Sequence, residues 1–158
     1  MAEDPSLERY KLEQLKKNGS GWFLWVAGLS IVNTVMAMSG STFNFVLGLG
    51  LTQAIDGFVA QASPGVKIFG FLLDLLFAGA FLGIWQLSKK HTWAFITGMI
   101  VYAGDALIFL FVQEWIGLAF HAFALVAMLA GLKAAMKLAD LQEVRPEPVA
   151  PSTAGIIG

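Results

Sequence analysis

The stretch FNFVLGLGLTQAIDGFVAQA, residues 43–62, decides how many times the chain crosses a membrane. It is apolar enough to serve as a span. Yet Leu47, Leu51, Ile55, Phe58, Val59 and Ala62 fall on one helical stripe, with Thr52, Gln53 and Asp56 turned away. That pattern describes a helix lying on a bilayer or dipping into it. Four other segments, Trp22–Met38, Val66–Leu87, Trp93–Val112 and Trp115–Met136, each offer the roughly 17–25 apolar residues needed to cross.

Charge placement fixes the count at four. With the N-terminus inside, Arg9, Lys11, Lys16, Lys17, Lys89, Lys90, Lys133, Lys137 and Arg145 lie inside, and only Lys67 of the ten basic residues lies outside. A fifth span through 43–62 would move Lys89, Lys90 and the C-terminal basic cluster to the wrong face. The five tryptophans (Trp22, Trp25, Trp85, Trp93 and Trp115) all sit at span ends, as an interfacial aromatic belt requires. The connections between spans two and three and between three and four are a few residues long, so these neighbours are antiparallel and adjacent. The expected fold is therefore an all-α integral membrane protein. It is a four-span antiparallel helical bundle with an additional amphipathic or re-entrant helix between spans 1 and 2.

The flanks complete this organisation. Residues 1–20 are too charged for a signal peptide and read as a cytoplasmic amphipathic helix. Asp4 caps it, Pro5 opens it and Asn18-Gly19 ends it, with Leu7, Tyr10 and Leu15 against the headgroups. Residues 21–141 form the membrane domain, its fourth helix projecting to Leu141, and the Pro-rich 142–158 is expected to be a disordered cytoplasmic tail. Compactness and the lack of targeting signals place the chain in a prokaryotic cytoplasmic membrane, both termini inside. The lipid bilayer is its first partner.

Composition excludes much else. Of 158 residues 57% are hydrophobic and 13% charged, against roughly 25% charge in a soluble domain. A net charge of −1 gives no electrostatic basis for binding nucleic acid. The absence of cysteine rules out disulfides, thiolate metal sites and cysteine nucleophiles.

Three ionisable residues nevertheless sit inside spans, Asp74, Asp105 and His121, although a mid-bilayer charge costs at least about 2.5–3.5 kcal/mol. Each lies roughly 9–12 Å from the outer end of its span, and Asn33 reaches a similar depth. One polar residue from each of four helices thus falls in a single outer layer. On this reading Asp74 and Asp105 hold an exchangeable proton, cation or small polar solute, and His121 tunes their charge. Asn33 and Tyr102 orient them, the Tyr102 hydroxyl bonding Asp105. Lys67 snorkels outward above Asp74, and Glu114 guards the entrance above His121.

Other chemistries are weaker. No cofactor is expected, although Asp74, Asp105 and His121 would give three ligands and an open position for a divalent metal. His91 and His121 are half a membrane apart and cannot ligate one haem. Ser39 and Ser41 read as a turn leaving span one, and the GLGL at 48–51 lacks the strand and basic residue of a phosphate loop. Gly79 with Gly83, and Ala127 with Gly131, are small pairs that allow close helix approach within the bundle, in a homo-oligomer or in a larger complex. Two further readings follow: a non-catalytic assembly subunit of a larger membrane complex, and a membrane enzyme using the Asp/Asp/His set on a lipid-soluble substrate. The inner half of the spans offers only Thr97, Ser88 and Gln86, which argues against a full transport path.

Overall fold

A computed structural model describes residues 4–40 and 48–144. Five helices follow in order: α1 Pro5–Met38, α2 Gly50–Val59, α3 Pro64–Ser88, α4 Thr92–Phe111 and α5 Trp115–Val144. The expected tail from 145 onward and the first part of the segment 43–62 lie outside the described residues. The four long helices are each long and apolar enough to cross a membrane, and α2 is the short helix between the first two spans. The protein is therefore a four-span helical bundle.

Local chemistry sets the helix ends. The Asp4 carboxyl accepts from the Ser6 amide at 2.9 Å, and Pro5 occupies the first turn of α1, where its missing N–H costs nothing. Pro64 opens α3 in the same way. Gly40, with φ at +81°, turns the chain out of α1. Between α4 and α5 the Glu114 amide donates to the Phe109 carbonyl at 2.9 Å and the Gln113 amide to Leu110 at 3.2 Å. Gln113 takes the left-handed φ of +57° that such a termination needs. Glu114 then accepts from the Gly117 amide and so caps α5, where the sequence had suggested an entrance guard.

The long helices close into a square, α1 touching α3 and α5, and α4 touching the same two. Its core is aromatic: Phe23, Phe81, Phe95 and Tyr102, with Val26, Ala124 and Met128. Phe23 and Phe95 meet edge to face at 5.3 Å, and Phe81 meets Tyr102 at 6.2 Å. The outside of every long helix carries exposed large apolar residues, including Val32, Leu72, Ile100 and Val126, whereas Asn33, Asp74, Asp105 and His121 are buried. Polar inside and apolar outside is the arrangement that lipid demands.

Two features depart from the sequence reading. Asn18-Gly19 does not end a helix: α1 runs unbroken for 34 residues, about 51 Å at 1.5 Å per residue. The glycine serves packing instead, because a Cβ on Gly19 would stand 2.6 Å from the Gly131 Cα of α5. The amphipathic segment is thus the start of α1, held to the end of α5 by the Lys137–Glu8 ion pair. The second departure is the orientation of α2. Polar residues face the bundle alongside part of the apolar stripe: Thr52 is fully buried, Asp56 is half-buried like Leu51, Ile55 and Val59, and Phe58 is 93% exposed.

Candidate functional site

Asp105 organises the end of the bundle where α2 sits. Its Oδ2 accepts from the Gly50 amide at 2.7 Å and its Oδ1 from the Leu51 amide at 2.9 Å, so the carboxyl receives the first turn of α2. Asp105 lies six residues before the end of α4, which puts the start of α2 about 9 Å inside the bundle. Ser30 of α1 adds a second tether, accepting from the Leu49 amide at 2.7 Å while donating to the Val26 carbonyl. These contacts supply partners for amides that a dry helix terminus would otherwise leave unmet.

His121 joins Asp105 as the sequence suggested, with Nε2 3.0 Å from Oδ2. Its Nδ1 lies 2.9 Å from the Gly117 carbonyl, an acceptor only, so Nδ1 carries a hydrogen. The Nε2–Oδ2 contact then needs a second hydrogen. That hydrogen sits between Nε2 and Oδ2, and the same carboxyl accepts from two amides, so every polar atom of the pair is satisfied. The imidazole is fully buried, stacked on Tyr102 at 4.4 Å and 18° and flanked by Phe109 at 4.6 Å. Tyr102 therefore supports His121 through its ring. Its hydroxyl does not bond Asp105 and has no hydrogen-bond partner.

Asp74 has different company. It is 2% exposed, and neither carboxyl oxygen meets a hydrogen-bond partner. Facing it are the Asp56 carboxyl of α2 and the Thr34 hydroxyl of α1, which is itself buried without a partner at bonding distance. A carboxyl donates only when protonated, so the Asp56–Asp74 contact becomes a hydrogen bond only if one of the two holds a proton. Burial pushes the pKa of Asp56 above the usual carboxylate range, and its contacts with Asp74 and Thr34 offset this in part. Asp56 also lines a cleft of about 350 Å³ with Met38, Gly40, Gly57 and Lys67. Lys67 thus shares a cleft with Asp56.

The expected single layer is therefore two groupings, Asp105 with His121 and Asp74 with Asp56. Asn33 is buried next to Thr34 on α1. Among the described residues no three His, Asp or Glu side chains gather as a metal would require. Sequence reasoning missed Asp56, Thr34 and Ser30. The polar spacing Ser30, Asn33, Thr34 on an otherwise apolar span was the available signal. The chain matches no protein-family model, no curated protein and no solved structure.

Proposed function

We propose that this membrane protein takes up and releases a proton at the Asp56–Asp74 carboxyl pair from one side of the bilayer. One observation carries the reading: a buried carboxyl, Asp74, without a conventional donor, faces a second carboxyl that lines an open cleft. With one proton the pair forms a hydrogen bond and carries a single negative charge. Release leaves two facing carboxylates whose repulsion pushes α2 from α3. Asp105 and His121 hold the other end of α2 fixed, so the movement is a hinge about Gly50. The positive-inside distribution of basic residues supports a cleft on the outer face.

The aromatic core between this site and the chain termini favours a one-sided, pH-responsive element over a conducting path. Ser20 and Ser88, the buried hydroxyls beyond it, are each bonded to a backbone carbonyl of their own helix. An enzyme acting through His121 has less support, because the ring is fully buried between Tyr102 and Phe109. The assembly-subunit reading draws on the uncovered Gly79 and Gly83 of α3 and on the exposed Phe58 of α2.

The chain has no cysteine, so Phe58→Cys gives one labelling site on the exposed side of α2. An environment-sensitive fluorophore there is expected to report a reversible transition with pH that Asp74→Asn removes. A label that responds identically in both proteins contradicts the proposal. Repeating the titration in sodium and in choline salts separates a proton from a small monovalent cation competing for the same carboxyls.

A further inference from the structure

At the opposite end of the bundle a second cavity, of about 600 Å³, opens among α1, α3, α4 and α5. Lys16 and Lys17 of α1 reach it from one side, and Lys89 and Lys90 of the α3–α4 turn from the other. Glu13, the one acidic residue among the described residues of its wall, is bonded to Arg9 at 3.1 Å. The apolar part of the wall is Leu24, Trp85, Ala135 and Leu138. Lys89 is held in place, its ammonium 3.4 Å above the Trp85 ring and 3.0 Å from the Gln86 side-chain oxygen. Thr92, the first residue of α4, also lines the cavity, and that helix receives no side-chain cap from His91.

Four lysines line one space, and an anion held among them is attracted to all four and offsets their mutual repulsion. The volume lies within the range of small-molecule sites. A cationic rim over an apolar floor matches an amphiphile with a phosphate head. We propose that this cavity binds a phosphate-bearing anion, with the headgroup of an anionic phospholipid as its fitting form. The phosphate sits among Lys16, Lys17, Lys89 and Lys90, and the glycerol and upper acyl carbons lie against Leu24 and Trp85. This site is independent of the carboxyl pair.

The test is native mass spectrometry of the detergent-purified full chain with added phosphatidic acid, with phosphatidylcholine, and with inorganic phosphate as competitor. Phosphatidic acid is expected to be retained one per chain. The Lys16→Gln/Lys89→Gln/Lys90→Gln variant is expected to lower that retention at least about tenfold. The matching triple arginine variant keeps the charge and is expected to keep the lipid, which separates binding from folding. Lys133→Gln, an exposed lysine outside the cavity, is expected to change nothing. Lipid that survives excess inorganic phosphate identifies the headgroup as the occupant, and displacement by it identifies free phosphate. Equal retention of phosphatidylcholine, or equal loss in Lys133→Gln and the triple glutamine variant, overturns the proposal.

Discussion

At the scale of single residues, the two buried carboxyls behave oppositely because their neighbours differ. Asp105 accepts from two amides and pairs with an imidazole, whereas Asp74 faces another acid and the Thr34 hydroxyl. Asp105→Ala is expected to destabilise the bundle by about 3–5 kcal/mol, because it leaves the Gly50 and Leu51 amides and the buried His121 Nε2 without their shared partner. His121→Phe should cost less, since it refills the space between Tyr102 and Phe109 and leaves Asp105 its two amides. Thermal denaturation in detergent ranks the two. Asp56 has its pKa raised by burial, so its protonated form is favoured by the folded state. Its contribution to stability is thus complete below the ordinary carboxyl range and is lost as pH rises through the shifted value. Asp56→Asn should flatten that decline in melting temperature. Asp4 has the opposite sign: the Ser6 bonds lower its value, and its contribution disappears on acidification.

At the scale of elements, glycine context separates packing from open space. A Cβ on Gly131 would lie 2.7 Å from the Gly19 Cα, a backbone atom that cannot step aside, whereas one on Gly83 would meet nothing within 4 Å. Gly131→Ala is expected to cost roughly 1–3 kcal/mol by forcing α1 and α5 apart. Gly83→Ala should be neutral or stabilising by up to about 1 kcal/mol through helix propensity. The α4–α5 turn offers a third test. Gln113 holds a left-handed backbone that costs a non-glycine residue about 1–2 kcal/mol. Gln113→Gly relieves this, less about 0.5–1 kcal/mol of added chain entropy, and should raise the melting temperature slightly. The spans were legible because twenty apolar residues bounded by Trp and Lys have one physical solution in a bilayer. The orientation of α2 was not. Its hydrophobic stripe has two apolar destinations, bundle and lipid, and periodicity does not choose between them.

At the scale of the whole molecule, the site was half legible for a geometric reason. Counting residues along a span gives depth, which is why Asp105 and His121 could be matched across α4 and α5. Depth says nothing about which faces meet, and helix packing turned Asp74 toward α2 and Asp56. The polar layer that results is confined to one end of the bundle, with an aromatic core below it and a lysine-lined cavity at the other end. The central claim is that Asp56 and Asp74 share one exchangeable proton, and infrared spectroscopy reads that proton directly. Wild-type protein in bilayers at neutral pH should show a protonated carboxyl stretch that disappears on alkalinisation and is absent from both Asp56→Asn and Asp74→Asn. No protonated carboxyl at neutral pH, or a band unchanged in both variants, would contradict the account.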